Sequence, residues 1–178
     1  MPDLSMSFDP SAIASNSDAA SSALAEATAA SSVAAELQQN VTDMDSAPNS
    51  DHSAVGPQCN DIAAGESVTV MDCVYLKSDG EWWKTDADAV ATAGGLLAIS
   101  LESKADGEAM NVAMPGSFVR DDTWDWTVGG AIYLDTATAG ALVQVAPSGT
   151  DDVVRVVGWA VTVDVMFFSP DQTIIVHT

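Results

Sequence analysis

From residue 61 onward no useful stretch of the chain carries the three-to-four-residue apolar spacing of a helix, and this narrows the fold more than any other feature. What replaces it is a succession of short apolar runs cut by Gly, Pro and Asp. Val68, Val70, Val74 and Leu76 are strand-like, Ser78-Asp79-Gly80-Glu81 is a turn, and Trp82-Trp83-Lys84 begins the return strand. Leu96 to Leu101 is bounded by Gly94-Gly95 and by Lys104-Ala105-Asp106-Gly107, and Met110 to Met114 alternates before Pro115-Gly116. Ala131 to Leu134 follows Gly129-Gly130, and Leu142 to Val145 stops at Pro147-Ser148-Gly149. Val153 to Val165 is the longest run, with a bend expected at Gly158, and Met166-Phe167-Phe168 and Thr173 to Val176 close the chain. Roughly eight to ten short strands punctuated by turns predict an all-β sandwich or barrel.

The first 45 residues have a different texture and predict a helical arm. Asp9 suits an N-cap, with Pro10 at the first helical position and Phe8 and Ile13 placed for a hydrophobic staple. Ala and Ser dominate from there, and neither Gly nor Pro intervenes until Pro48. A heptad register runs through Ile13, Ala20, Ala27, Ala34 and Val41, with Asn16, Ala23, Ala30, Leu37 and Met44 three residues after each. Such a seam of small residues suits a coiled coil or a helix docked on a surface. Alone it buries too little to be stable in water. The competing reading is an Ala/Ser tether, since Ala fills heptad positions by chance. The anchoring candidates are Ile13, Ala20, Ala27, Ala34, Leu37 and Val41. Residues 46–60, rich in Ser, Asp, Pro and Gly and without periodicity, read as a linker to an all-β domain over 61–178.

Charge excludes two classes of partner. The chain carries 26 acidic residues against 5 basic ones, a formal net charge of -21. The basic residues are Lys77, Lys84, Lys104, Arg120 and Arg155, so the first 76 residues hold none. Nucleic acid needs Lys and Arg to displace counterions from phosphates, and anionic membranes need the same charges, so neither partner is expected. The acidity fits simple solubility, or a high-salt habitat in which salt screens the self-repulsion. Met1-Pro2-Asp3-Leu4 has no basic or apolar leader character, so no signal peptide is expected. Cys59 and Cys73 lack CxxC spacing and read as two free thiols.

Catalysis finds little footing. The two histidines are His52, in the linker stretch, and His177, beside the C-terminus, and no GxSxG or HExxH pattern occurs. Asp86 with Asp88, Asp121 with Asp122, and Asp151 with Asp152 could serve as glycosidase pairs, but so acidic a chain makes close pairs inevitable. No cofactor is expected. A structural cation is conceivable where Asp121, Asp122 and Asp125 share one turn, or at Asp151 and Asp152, although solvated turn aspartates account for both clusters.

The aromatic residues suggest a surface to be covered. Trp82 and Trp83 must point to opposite faces of any strand holding both, and Trp124 and Trp126 share a face with Asp125 between them. All four are interface candidates, unless the rings shield strand edges within one copy.

An ordered series of segments resembles the β-domain of tailed-virus virion proteins, of the head-fibre and capsid-decoration type. It runs through Gly65-Glu66-Ser67-Val68-Thr69-Val70, Val74-Tyr75-Leu76-Lys77-Ser78-Asp79-Gly80-Glu81-Trp82 and Gly116-Ser117-Phe118-Val119-Arg120-Asp121-Asp122. Thr127 to Thr136, Ala139 to Leu142, Ala146 to Asp152, Val156 to Ala160 and Phe167 to Pro170 continue it, so that it spans about residues 62–172. The resemblance implies a non-enzymatic homo-oligomer, commonly a trimer, located in the virion after assembly in the host cytoplasm. Its partners would be the major capsid protein or other virion proteins. A second reading is a receptor-binding module on a tail or baseplate, in which exposed Trp rings would stack on sugars.

Overall fold

The structure, a computed structural model, describes residues 21–28, residue 31 and residues 48–178. The chain divides into two compact units, Met1–Thr42 and Asp43–Thr178. In the first, residues 21–28 and residue 31 are helical, and Ala27 is exposed. The other anchoring candidates, Ile13, Ala20, Ala34, Leu37 and Val41, lie outside the described residues.

The second unit is mostly β. Its strands are β1 (Ser53–Val55), β2 (Gln58–Ala63), β3 (Cys73–Leu76), β4 (Trp82–Lys84), β5 (Leu97–Ser100), β6 (Ala109–Ala113) and β7 (Ser117–Arg120). They continue with β8 (Ala131–Leu134), β9 (Leu142–Val143), β10 (Val153–Val154), β11 (Val156–Ala160), β12 (Val165–Phe168) and β13 (Ile175–Val176). One short helix, Val90–Ala93, interrupts them. The strands form three antiparallel sheets. Six strands run in the order β1-β7-β12-β11-β8-β9, five in the order β2-β6-β5-β3-β4, and β10 pairs with β13.

The two larger sheets share a core, as the layers of a sandwich do. Cys73, Leu97, Ile99 and Ala113 come from the five-stranded sheet, and Val119, Ile132, Leu134, Met166 and Phe168 from the six-stranded one. Register explains the grouping: Cys73 pairs with Ile99 and Ile99 with Ala113, so all three share a face. The opposite face of the five-stranded sheet is covered too, by a second cluster of Ala64, Val68, Val74, Trp82, Ala98, Met110 and Val112. Buried on both sides, β5 has no exposed residue, which is why Leu97-Ala98-Ile99 reads as a continuous apolar run.

A bulge decides which side of β11 faces inward. Val156 pairs with Tyr133 but Gly158 with Ile132, so Val157 is an extra residue and the alternation changes phase across it. Val157 and Ala160 thereby join the core, while Trp159 turns outward and is 50% exposed. Glycine is needed at 158 because an added Cβ would lie 2.5 Å from the backbone oxygen of Phe167 and from Met166 Cε.

Two strands lie where the sequence reads as a linker. β1 and the start of β2 fall within residues 46–60. Three residues are too few to show a period, and β1 gains its order from its partner: Ser53 pairs with Arg120, Ala54 with Val119 and Val55 with Phe118. In β2 the register slips between Cys59 and Ile62, and Asp61 takes a φ of 70°, so its alternation is broken.

Arg155 is an internal clamp. It is 2% exposed, and its guanidinium donates to the backbone oxygens of Asp171, Ala93 and Gly95 at 2.8, 2.7 and 3.1 Å. These bonds fasten the end of the short helix and the loop after β12 to the start of β11. Cys73 is a buried free thiol, and burial pushes it up to about 12, so it is inert as a nucleophile near neutral pH. Cys59 is free as well.

Candidate functional site

The most distinctive surface is the outer face of the six-stranded sheet. Val55 pairs with Phe118, Phe118 with Phe167, Phe167 with Trp159, and Trp159 with Ala131. In an antiparallel sheet paired residues share a face, so these five side chains form one row across five adjacent strands. The row contains no charged residue. Val55 at one end is buried, and Trp159, next to Ala131 at the other end, is half exposed. The Phe118 and Phe167 rings stack with centroids 5.1 Å apart and planes tilted by 42°.

Beyond Trp159 the apolar surface continues through Val161 and Val163, which are 41% and 51% exposed. Trp126 N–H donates to Val163 O at 2.7 Å and Gly129 N–H to Ala160 O at 2.8 Å. These bonds lay the 126–129 turn along residues 160–163, and the turn carries Val128, itself 60% exposed. On a chain of net charge -21, a row of uncharged side chains is where a second protein surface can approach at low electrostatic cost, with Arg120 and Asp164 at its border.

The four tryptophans singled out from the sequence serve mainly inside the domain. Trp82 is fully buried among Val74, Ala98, Met110 and Val112, so it is a core residue and offers nothing to a partner. Its neighbour does point the other way, but the cover comes from the same chain. Lys77 Nζ sits 3.5 Å from the Trp83 ring centroid, and Gly65 lies so close that a Cβ there would meet Trp83 Nε1 at 2.2 Å. Trp124 and Trp126 share a face, with ring centroids 5.3 Å apart, and both pack half-buried on the main core. The sequence reading passed over Trp159 as an interface candidate, because without the bulge at Val157 its side of β11 was undefined.

The paired carboxylates close turns. Asp86 Oδ1 accepts from Asp88 N–H at 2.9 Å and Asp152 Oδ2 from Gly149 N–H at 2.6 Å. Asp122 Oδ1 accepts from Arg120 Nε at 2.6 Å, and Arg120 also reaches Asp164 Oδ2 at 2.6 Å. A hydrogen bond from the Thr162 hydroxyl, aided by the Arg120 charge, holds Asp164 below the usual carboxylate range. Asp121, Asp122 and Asp125 do not converge as a three-carboxylate site. Asp122 is exposed beside Arg120, Asp125 is exposed on the rim of a groove, and Asp121 turns inward. That groove, about 660 Å³, is lined by Trp126, Leu142, Gln144 and Val145, with Asp135 and Asp152 also along it. Among the described residues, no helix is long and apolar enough to cross a membrane.

No protein-family model matches the chain, and no curated protein matches it at a significant level.

Proposed function

We propose that the chain is a non-enzymatic virion structural protein of a tailed virus, a capsid-decoration or head-fibre protein working as a homo-oligomer, in its simplest form a trimer. The observation that carries this reading is the uncharged row on the outer sheet face, in which Trp159 is half exposed. A face of this kind on so acidic a chain is well suited to meeting another copy. The domain beneath it is also suited to a mechanical role, with the central strand of one sheet buried on both faces and turns closed by their own carboxylates. The N-terminal arm would then anchor the assembly to the major capsid protein or another virion component through its small-residue seam. The ordered likeness to head-fibre and decoration domains over about residues 62–172 supports the same reading.

The second reading, a tail or baseplate adhesin, draws support from the groove beside Trp126, where an indole lies among Asp125, Gln144 and Asp152. Planar polar groups around an aromatic ring suit a sugar.

Trp159→Glu separates an associating face from a bystander. Light scattering in molar salt is expected to give a trimer or larger closed species for the parent and mostly monomer for the variant. An interface aromatic of this size contributes about 2 kcal/mol or more to association. Because Trp159 is half exposed, the variant should keep the parent's circular dichroism. A monomeric parent, or an unchanged oligomer in the variant, would remove this face from the proposal.

A further inference from the structure

We propose that Asp51, His52 and Asp121 bind a divalent transition-metal cation through one imidazole nitrogen and two carboxylate oxygens, pinning the chain where it enters the β-domain. Strand pairing explains why residues so far apart in sequence meet. β1 and β7 run antiparallel with Ser53 opposite Arg120, so the next step outward sets His52 beside Asp121. Asp51 then bridges the two segments, its Oδ1 accepting from Asp122 N–H at 2.9 Å and from His52 N–H at 3.0 Å. These donors fix one oxygen of Asp51 and leave Oδ2 turned toward the imidazole.

The spacing fits a shared ion better than direct contact. His52 Nε2 stands 3.6 Å from Asp51 Oδ2 and 3.9 Å from Asp121 Oδ1. Both exceed the roughly 3.2 Å limit of a good hydrogen bond. Two ligands each about 2.0–2.2 Å from one metal ion, however, stand about 3–4 Å apart. One donor atom from each of the three residues lies within 4.8 Å of the other two.

Asp121 gives an independent sign. Its side chain is only 9% exposed. Thr123 N–H and Thr123 Oγ1 both donate to Oδ1, at 2.8 and 2.7 Å, which orients the carboxylate. No Lys or Arg pairs with it, since Arg120 is engaged by Asp122 and Asp164. An enclosed carboxylate with no Lys or Arg beside it is a suitable partner for a bound cation. Asp86 and Asp88 have no histidine at hand, and Asp151 and Asp152 meet the exposed His177 through backbone bonds; neither pair is as buried as Asp121.

The donor set indicates the class of ion. Imidazole with carboxylate suits Zn²⁺ and Mn²⁺, whereas Ca²⁺ and Mg²⁺ prefer oxygen ligands alone. The role is structural: the ion ties the turn before β1 to the turn after β7, and it stabilises the fold by binding the native state alone.

The test is calorimetric titration of ZnCl₂ into the full chain, freed of metal with EDTA and held in molar NaCl. The expected result is saturable binding of one ion per chain and a melting temperature that rises with Zn²⁺. His52→Ala should weaken that binding about tenfold or more. The His52 side chain is 39% exposed, so this variant should keep the fold, which circular dichroism checks. Asp121→Asn should weaken it comparably. Absence of saturable heat would overturn the site. So would an isotherm unchanged in His52→Ala, because the ion would then be held elsewhere, by Cys59, His177 or surface carboxylates.

Discussion

Arg155→Met is expected to lower the unfolding free energy by about 2–4 kcal/mol in urea titrations at fixed high salt. The reasoning is an accounting of hydrogen-bond partners. Methionine keeps most of the stem's volume but removes every donor, stranding the backbone oxygens of Ala93, Gly95 and Asp171. Ala93 O is buried and costs about 1–3 kcal/mol when left without a partner, while Gly95 O and Asp171 O, on exposed residues, can turn to water and cost less. Burial also lowers the pKa of Arg155, so this guanidinium is held by its geometry in spite of its desolvation. Lysine should rescue only part of the loss, since a single ammonium cannot match the guanidinium fork across three separated carbonyls. A loss below about 1 kcal/mol for Arg155→Met would show that the three carbonyls find other partners.

The second large effect is Trp82→Ala, expected to cost about 3–5 kcal/mol, as large-to-small changes of buried aromatics do. Trp82 is the largest fully buried side chain, and it fills the space between the five-stranded sheet and the segment from Ala64 to Val68. Little else could close that space. Trp82→Phe should be milder, about 1–3 kcal/mol, because it keeps one ring in place and leaves a smaller cavity. It also removes an indole N–H that finds no acceptor among the described residues. If alanine and phenylalanine cost the same, packing of the ring would not be what holds this second cluster together.

How much of this was legible in the residues depends on where the information lies. The strand runs around Val74, Ile99, Ile132 and Phe168 were readable because core strands advertise themselves through apolar runs and Gly or Pro stops. That Trp82 and Trp83 face opposite ways followed from the pleat alone. Which of them is enclosed did not, since Lys77 and Gly65 cover Trp83 through contacts set by the fold. β1 was illegible because a three-residue edge strand has no period of its own and depends on β7 for its register. Trp159 was missed because one extra residue at Val157 reverses the phase of β11; Gly158 marked a bend there, but not which side of the strand the bend turns outward. His52 looked isolated in a linker. Its carboxylate neighbour Asp121 reaches it through a strand pairing that spacing cannot reveal, although an Asp-His pair just before a strand was a usable hint.

The proposed virion role is tested most directly by quantitative mass spectrometry of tailed-virus particles purified from cells that express this chain, counting its copies against the major capsid protein. A decoration or head-fibre protein is expected in large numbers, in fixed proportion to capsid subunits. Absence from the particle, or a handful of copies confined to the tail, would contradict that claim, the latter in favour of the adhesin.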